Sequence, residues 1–419
     1  MLPADLTHPQ PAVLTRWLSI VGIGEDGIHG LSAAARELIC AADFVFGAPR
    51  HLALAAPLIR GEPRAWGVPF DSTMAAVLAL RGQPVCVLAS GDPLHHGAGA
   101  LLARHLSREE AVVCPAPSAF SLAAARLLWS LPELTLVSLC GHPLELLRPK
   151  LHPGRRILAL TAGRTAPAEL ASWLHANGFG LSRLTVLECL GGPQERVRSV
   201  LANAFDLDTV ESLNTVAIEV AQEPHARLLP RSAGLSDSLF EHDGQITKRE
   251  IRAVTLSALA PLHGQRLWDI GSGAGSVAIE WLLADDSLEA IAIEQRPDRA
   301  QRIARNAAAC GTRHLTVIEG AAPSALSGLN APDAVFVGGG ASAPRLIETV
   351  QDALRPRGRL VVNAVSLETE SLVLHHHARH GGTLTRMSFA HSSPLGGADG
   401  RMHGWRPAMP VTQWLWVKP

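Results

Sequence analysis

The stretch RLWDIGSGAGSVAIEW, residues 266–281, joins an apolar strand pattern to a helix pattern through a run of glycines. We predict a strand over 266–270 and a helix over 276–283. Glycines between such elements let the backbone turn sharply and approach a bound molecule closely. The stretch therefore predicts the first strand-to-helix turn of an α/β sheet, and a candidate binding site at that turn.

Two further strand ends extend this candidate site. A second apolar strand, 290–293, leads to Glu294, whose carboxylate can accept hydrogen bonds from both hydroxyls of a ribose. A third strand, 315–318, leads to Gly320 and Ala321, where an adenine could lie. Candidate contacts at the carboxyl ends of successive strands match the ligand crevice of a doubly wound sheet. Three tight turns that hold no ligand are the alternative.

The spacing of the glycines separates two ligand classes. A dinucleotide fold uses G-x-G-x-x-G to hold a pyrophosphate, whereas this loop has glycines at 271, 273 and 275 and is preceded by Asp269. Adenosylmethionine has no phosphate, and its ammonium group favours a nearby carboxylate. The loop thus favours a methyltransferase over an NAD-dependent oxidoreductase.

The first half of the chain also has the sequence pattern of an α/β fold. Apolar strands alternate with helix-like sequence, which predicts a parallel sheet; they lie at 18–23, 44–46, 85–89, 111–114, 134–139 and 157–160. Between 222 and 244 the pattern lapses into Pro, Gly, Ser and charged residues. We predict domains at 1–225 and 241–419 with a linker at 226–240, and an antiparallel edge strand at 411–417.

A second glycine loop opens the first half. Gly22-x-Gly24-x-x-Gly27 formally matches the dinucleotide pattern, and Asp43 lies near the expected distance. However, Asp43 precedes the second strand instead of ending it. An NAD domain also leaves the Gly-Asp-Pro turn at 91–93 without a role.

Composition limits the function classes. The 419 residues carry 37 Lys plus Arg against 38 Asp plus Glu, and tyrosine is absent, so a nucleic-acid partner is not indicated. No apolar run is long enough to span a membrane. The start of the chain, around Asp5, lacks the pattern of a secretion signal. We therefore expect a cytoplasmic protein.

Cysteine and histidine spacing does not predict a metal site. The six cysteines form no C-x-x-C pair, so buried thiols in a reducing compartment are expected. Adjacent histidines on one helix point in different directions, so we expect His375, His376 and His377 to be solvated. The same argument applies to His95 and His96.

Longer segments carry a family resemblance. Residues 244–281, with ARNAAACG, IEGAAPSAL and PDAVFVGGG, resemble the CbiT-type methylases of cobalamin synthesis. The first half resembles the CbiE-type tetrapyrrole methylases through VGIGEDG, ASGDPLHHG, PAPSAFSLAAARL, TAGRTAPAEL, LECLGGPQERV and NTVAIEV. The fusion of the two types in this order resembles the family of precorrin-6Y C5,15-methyltransferases (decarboxylating).

This resemblance implies an architecture and a reaction. The fold would be an N-terminal tetrapyrrole-methylase fold of two α/β subdomains, followed by a C-terminal class I Rossmann-like methyltransferase domain. The first half would methylate C5 of a precorrin, and the second would methylate C15 and remove the carboxyl of the C12 acetate. S-adenosylmethionine would bind once per domain. The expected partners are the tetrapyrrole and further copies of the chain, without nucleic acid or membrane.

The resemblance also implies cofactor contacts. In the first half they are Gly24, Ser90, Gly91, Asp92, His95, Ser118 and Ala119. In the second half they are Thr247, Gly271, Ser272, Gly273, Ala274, Gly275, Glu294, Gly320 and Ala321. Many class I methyltransferases have an acid where this chain has Ala321 and Ala322, so an adenine would meet backbone groups there. For Asp92, shaping its own turn is an equally good interpretation.

Cations near the second loop could hold substrate carboxylates. Lys248 is the proposed clamp, with Arg249 and Arg252 as further candidates, and a solvated helix start is the alternative. The glycine-rich stretch 391–405 is a candidate lid or substrate wall. The sequence names no acid or base for the decarboxylation. A tetrapyrrole carrier that has lost catalysis in one half remains a second hypothesis, although intact glycine loops and Glu294 oppose it.

Overall fold

The computed structural model describes residues 16–67, 70–395 and 402–419, without the side chains of residues 70 and 71. The expectation for the start of the chain, and residues 396–401 of the candidate lid, lie outside this described part.

The strands are β1 Leu18–Ile23, β2 Phe44–Gly47, β3 Glu62–Ala65, β4 Val85–Ser90, β5 Ala111–Cys114, β6 Thr135–Ser138, β7 Arg156–Ala162, β8 Arg183–Glu188, β9 Arg196–Leu201, β10 Leu213–Glu219, β11 Arg266–Ile270, β12 Glu289–Glu294, β13 Thr316–Glu319, β14 Ala334–Val337, β15 Arg359–Ala364, β16 Thr383–Met387, β17 Ala390–Pro394, β18 His403–Pro407 and β19 Val411–Val417. The α-helices are α1 Ala33–Cys40, α2 Pro49–Ala55, α3 Phe70–Ala79, α4 Ala98–Leu102, α5 Ala119–Leu127, α6 Ala166–Ala176, α7 Arg249–Leu259, α8 Ser276–Ala284, α9 Pro297–Cys310, α10 Leu346–Ala353 and α11 Leu367–His380.

The chain forms two compact units whose division differs from the predicted domains. The first unit comprises residues 1–142 and 153–226, and the second comprises 143–152 and 227–419. The predicted linker is packed structure, because Leu229, Leu235 and Phe240 are buried in the core of the second unit. The stretch is rich in turn residues, but its few apolar side chains determine where it packs, because their burial stabilises the fold.

The segment 143–152 was not anticipated as part of the second unit. It contains a 3-10 helix, Leu144–Lys150. The buried Arg148 guanidinium donates to the carbonyls of Ala309, at 3.1 Å, and Arg227, at 2.7 Å. Arg313 also pairs with Glu145 at 2.8 Å. A buried arginine that satisfies two carbonyls fixes this segment on its unit, because unmet carbonyls there would be costly.

The first sheet of the first unit is parallel, as predicted, with order β3-β2-β4-β1-β5. Apolar side chains of β1 and β4 are buried on both faces of this sheet. Such continuous apolar strands are typical of parallel sheets covered by helices. Ile23 pairs with Ser90 and Val21 with Cys114, so β1, β4 and β5 end along one edge.

The second sheet corrects the prediction of a single parallel sheet for the first half. Its order is β6-β7-β10-β8-β9, and only the β6–β7 pair is parallel. The strands predicted at 134–139 and 157–160 belong to this sheet, as β6 and β7. Strand β9 alternates exposed and half-buried residues, as expected for an antiparallel edge strand with one solvated face.

The second unit has a seven-stranded sheet in the order β13-β12-β11-β14-β15-β19-β16. The strands β11 to β15 are parallel and β19 is antiparallel to both of its neighbours. The strand order reverses direction at β11, where doubly wound sheets bind ligands. The two faces of this sheet carry separate apolar cores. Both units are α/β as predicted: the first contains two sheets, in agreement with two α/β subdomains, and the second contains the doubly wound sheet.

The tail corrects one element. Strand β19 is antiparallel as predicted, but it lies inside the sheet because β16 pairs with its outer side. Trp414, on β19, is fully buried and donates its indole N–H to the Gly381 carbonyl at 2.9 Å. Among the described residues, no helix is long and apolar enough to cross a lipid bilayer.

Candidate active sites

The glycine loop of the second unit lies between β11 and α8. Gly271 has φ of +66°, and a Cβ there would lie 2.6 Å from the Gly339 carbonyl oxygen. The loop after β11 and the loop after β14 therefore approach each other at a distance that no side chain permits. Gly271 is required both by its backbone conformation and by this close approach.

Asp269 anchors the loop from beneath. Its side chain is 1% exposed, and it accepts hydrogen bonds from Ser272 Oγ at 2.7 Å and from the Ala278 amide at 3.1 Å. Burial raises the pKa of Asp269 to about 6, against the lowering effect of these two donors. Its Oδ1 atom is buried without a protein partner. A buried carboxylate with one unmet oxygen suits a neighbouring positive charge.

Glu294 ends β12 beside the loop. Its Oε2 accepts from the Gly273 amide at 2.9 Å, and its Oε1 accepts from the Arg296 amide at 3.1 Å. Each carboxylate oxygen has two lone pairs, so both keep the capacity for a further donor. The pattern is an oriented carboxylate that can bind a pair of hydroxyl groups.

These strand ends surround a cavity of about 960 Å³ in the second unit. Most of the residues predicted there line it, namely Thr247, Lys248, Gly271, Ser272, Gly273, Glu294, Gly320 and Ala321. Ala274 and Gly275 do not. Ala274 is fully buried, and Gly275 precedes α8 against the Ile303 side chain. These two residues shape the turn and belong to the cavity wall only indirectly.

The candidate cations divide into two groups. Lys248 precedes α7, lines the cavity and is 53% exposed, with Nζ 3.9 Å from Asp237. Arg249 also lines the cavity, and its Nε donates to the Gly234 carbonyl at 3.0 Å.

Arg252 is a correction to the predicted set of cations. Its side chain is 0% exposed and is bonded to Glu280, Asp237 and the carbonyls of Thr247 and Leu235. It is neither solvated nor available to a ligand, because its side chain is fully buried and donates four hydrogen bonds within the protein. Its position on the buried face of α7 turns it into a structural residue.

Asn363 and Glu250, on the cavity wall, were not predicted from the sequence, whereas His391 begins the stretch 391–405 that was predicted as a lid or substrate wall. Asn363 lies near the end of β15 and lines the cavity, and its side-chain amide donates to Thr255 Oγ1 at 2.9 Å. Glu250, on α7, and His391, on β17, also line the cavity. The Glu250 Oε2 atom lies 3.8 Å from the His391 Nε2 atom. Asn363 could have been found as one more strand end. The pairing of Glu250 with His391 joins residues 141 positions apart and left no pattern in the sequence.

The histidine run needs a second correction. His376 is buried, with its ring 5.9 Å from that of Trp414, whereas His375 is exposed. Burial lowers the pKa of His376. Within the described ranges, no cluster of three His, Cys, Asp or Glu side chains could hold a metal. The six cysteines are free; Cys86, Cys189 and Cys310 are buried, but Cys140 is exposed, unlike the expectation.

The first unit brings its predicted residues to one sheet edge. Gly24 follows β1, the Ser90-Gly91-Asp92 turn ends β4, and Ser118 follows β5. The Gly91 amide donates to the Ile23 carbonyl at 3.1 Å, and a Cβ on Gly22 would overlap the Gly91 carbonyl. The two glycine turns therefore pack directly on each other.

Side chains around this edge are individually fixed. Ser118 caps α5, where its Oγ accepts from the Ser121 amide at 3.1 Å. Asp92 accepts from the Leu94 amide at 2.9 Å, which is the turn-shaping role. His95 lies with its ring 4.8 Å from that of Phe120. Ala119 begins α5 beside Ser118.

Ser90 has partners that the sequence did not indicate. Its Oγ lies 2.9 Å from His51 Nε2 and 2.9 Å from an Arg50 nitrogen, and Arg50 pairs with Glu25. Burial, helped by Arg50, lowers the pKa of His51 to about 4. A neutral imidazole with an unprotonated Nε2 can accept a hydrogen bond from the Ser90 hydroxyl group and so orient it.

These two α/β units, each with paired glycine turns at strand ends, define a methyltransferase with two modules. The family model of "Tetrapyrrole (Corrin/Porphyrin) Methylases" matches residues 18–205, and that of "Precorrin methyltransferase domain" matches residues 238–418. A precorrin-6Y C(5,15)-methyltransferase [decarboxylating] of Sinorhizobium sp is 54% identical over 415 residues, 99% of this chain and 100% of the relative. The chain belongs to the precorrin-6Y C(5,15)-methyltransferase (decarboxylating) family.

Shorter relatives correspond to about half of the chain. A cobalt-precorrin-7 C(5)-methyltransferase of Salmonella typhimurium is 31% identical and covers 48% of this chain and 98% of its own length. A cobalt-precorrin-6B C(15)-methyltransferase (decarboxylating) of the same organism is 32% identical and covers 42% of this chain and 92% of its own length.

Proposed function

We propose that this chain is an enzyme of cobalamin biosynthesis that methylates precorrin-6Y at C5 and C15 and removes the carboxyl of its C12 acetate, giving precorrin-8. The first unit methylates C5, and the second methylates C15 and promotes the decarboxylation. The relative that is 54% identical over nearly the whole chain carries this proposal, since its printed name gives both positions and the decarboxylation. The assignment to halves follows the CbiE-type and CbiT-type motifs.

Adenosylmethionine fits the second unit. Gly271, Ser272 and Gly273 line the cavity, and Glu294 offers free lone pairs to two ribose hydroxyls. The unmet Oδ1 of Asp269 lies beneath the same loop and favours a positive charge close by. The backbone at Gly320 and Ala321 completes the wall for an adenine. When bound, the cofactor supplies a methyl group on a positively charged sulfur.

A second adenosylmethionine site is proposed in the first unit. Gly24, the Ser90-Gly91-Asp92 turn, Ser118 and Ala119 meet at the edge where β1, β4 and β5 end. Gly24 and Gly91 carry no side chains, so a ligand at this edge would meet backbone groups at these two positions. His95 lies on the same turn, and its amide donates to the Asp92 carbonyl at 3.1 Å.

The protein's task in methyl transfer is alignment. Meso carbons of a partly reduced tetrapyrrole are enamine-like, so they attack without a strong base, and the protein gains rate by holding them in line with the methyl group. Lys248 is the proposed clamp for a substrate carboxylate at the cavity mouth. Ile246, Ile251 and Phe389 give the cavity an apolar wall, which suits a macrocycle and a carboxylate about to lose carbon dioxide.

Calorimetric titration with S-adenosylhomocysteine tests the two sites. The proposal expects two binding events per chain, of which substitution at Glu294 removes one. A single event would contradict the cofactor site in one unit and would favour a carrier with one lost activity. Binding of NAD in place of the adenosyl ligand would support the oxidoreductase hypothesis. Mass analysis of the product from precorrin-6Y and labelled adenosylmethionine then shows which carbons are methylated.

Lys248→Ala tests the substrate clamp. Loss of one charge-assisted contact should weaken precorrin binding about 10-fold, seen as a higher KM for C15 methylation, while S-adenosylhomocysteine affinity stays unchanged. Lys150→Ala is the matched control, because Lys150 also belongs to the second unit and pairs only with the exposed Asp286. Equal KM values for the wild type and Lys248→Ala would dispose of the clamp.

A further inference from the structure

Decarboxylation of an acetate side chain requires a proton at a defined place, and this inference rests on the proposed function. The bond between the CH2 carbon and the carboxylate breaks, carbon dioxide leaves, and the electron pair spreads from that carbon into the macrocycle. One proton must then bond to the same carbon to leave a methyl group. Without a nearby acid, the carbon can recapture carbon dioxide before solvent supplies the proton.

Several titratable side chains that line the cavity are unsuited to this task. Arg249 and Arg299 keep their protons at any working pH. Glu294 is held as an acceptor by two backbone amides. Asp237 accepts from Arg252 at 3.1 Å, and Lys248, with its Nζ 3.9 Å from Asp237, is the proposed clamp for a substrate carboxylate.

His391 and Glu250 remain, and they lie together on the cavity wall. The His391 Nε2 atom is 3.8 Å from Glu250 Oε2, and the His391 side chain is 65% exposed. Histidine is the side chain that exchanges protons near neutral pH, and the Glu250 carboxylate lies close enough to orient its ring. Exposure lets the ring take a new proton from solvent after each turnover.

Two charged side chains, those of Glu250 and Arg406, lie near His391. Glu250 faces it from α7. Arg406 lies opposite it in the register of β17 and β18, on the same face of the hairpin. The carboxylate and the guanidinium act in opposite directions on the imidazolium. The apolar side chains of Phe389 and Val411 line the cavity beside this hairpin.

We propose that His391, which lies beside Glu250 on the cavity wall, donates the proton that completes the decarboxylation in the second unit. Nε2 gives its proton to the side-chain carbon as the C–H bond forms, and the neutral imidazole is protonated again by solvent. Glu250 is the positioning residue, since it acts on the substrate through His391. Lys248 keeps its separate role as a clamp for a carboxylate.

The test uses the whole chain with precorrin-6Y and labelled adenosylmethionine, and follows C15 methylation and loss of carbon dioxide separately. His391→Asn should form decarboxylated product about 100-fold more slowly and slow C15 methylation far less, so that methylated, undecarboxylated material accumulates. His403→Asn is the matched control, because His403 is an exposed histidine on the partner strand β18 and does not line the cavity.

A pH profile separates proton donation from a structural role. In the wild type, decarboxylation should slow as rising pH removes the imidazolium, and His391→Asn should lose this dependence. Glu250→Gln should slow decarboxylation less than His391→Asn does, because the ring keeps its proton-donating nitrogen and loses only the carboxylate beside it.

Wild-type decarboxylation by His391→Asn, or an unchanged pH profile, would overturn the inference. So would equal loss of methylation and decarboxylation in that variant with normal S-adenosylhomocysteine affinity. If the wild type itself neither methylates C15 nor releases carbon dioxide, the proposed function fails and this inference falls with it.

Discussion

Arg252 is a charged side chain without solvent exposure, four residues after a lysine that lines the cavity. Its guanidinium joins Glu280, Asp237 and two carbonyls, while Glu280 in turn accepts from the amides of Gly234 and Leu235. A sequence shows the charge of such a residue but not the partners that neutralise it. Position in the sequence therefore predicted the cavity cation at Lys248, but it also led to the wrong role for Arg252.

Other residue-scale predictions depended on where partners lie in the sequence. The glycine loop and Glu294 were predictable, because both follow strands whose spacing the sequence displays. The roles of His391 and His51 were not, since Glu250 and Ser90 reach them only through the tertiary fold. His376 was misjudged for the same reason, because Trp414 covers it from a distant strand.

Glu294→Gln should selectively weaken the second cofactor site. Loss of the charge from an acceptor of two hydroxyl groups should reduce S-adenosylhomocysteine affinity of that site about 10- to 100-fold. Calorimetry should show the first site unaltered, and product analysis should show C5 methylation without C15 methylation. Glu319→Gln serves as control, because Glu319 lies beside Glu294 at the end of β13 and does not line the cavity. Equal effects of both variants would contradict the proposed contact.

His51 should make the stability of the first unit depend on pH. Burial lowers its pKa to about 4, while a histidine in the unfolded chain has a pKa near 6.5. Between these pH values the unfolded chain binds a proton at His51 and the folded chain does not, which favours unfolding. Stability should fall by roughly 3 kcal/mol as pH drops from about 6.5 to about 4. His51→Gln should flatten this part of the curve in denaturant unfolding at pH 7 and pH 4.5.

The exposed His29→Gln is the control for this measurement. A curve for His51→Gln that remains parallel to the wild type across the window would show that His51 does not cause the loss.

At the scale of elements, strands of the parallel sheets were predicted well. Strands β1 and β11 have the predicted bounds, because both faces of these strands are buried and the apolar runs are continuous. The half-buried edge strand β5 also has its predicted bounds. Antiparallel strands were harder. The half-solvated β9 and the polar β17 were not recognised, and β19 was placed at an edge because β16 has little apolar sequence to mark it.

The turn between β11 and α8 gives an element-scale prediction. Gly271→Ala should reduce S-adenosylhomocysteine affinity of the second unit at least 10-fold, because its Cβ would press against the Gly339 carbonyl and shift both loops. Gly264→Ala is the matched control, with φ of +74° and open space around the added carbon. It should cost about 1 kcal/mol of stability and leave binding intact. Calorimetry and thermal unfolding of the two variants check both expectations, and equal affinity losses would sink the argument from close approach.

At the scale of the whole molecule, each unit can be changed without touching the other's predicted site. The strand ends around Gly24 and those around Gly271 belong to different units. The sequence predicted this division into two modules from its two sets of glycine turns. It did not predict that residues 143–152 belong to the second unit, because the short 3-10 helix lacks a long apolar period.

A fragment spanning residues 227–419 should be less stable than the same unit in the whole chain. It lacks Arg148, so the Ala309 and Arg227 carbonyls lose their buried donor. A synthetic peptide of residues 143–152 should raise the Tm of the fragment in a concentration-dependent manner. The same peptide with Arg148→Ala should have less effect. Identical melting with and without either peptide would show that the segment does not stabilise this unit.

The assignment of residues 143–152 also bears on how the gene can be divided. A single break between codons, wherever it is placed, leaves at least one unit without part of its own polypeptide. Two independent reading frames would need either a transplanted ten-residue insert or a surface redesigned to do without it. Equal numbers of both modules are thus ensured not only by their shared messenger but by the way the backbone is threaded.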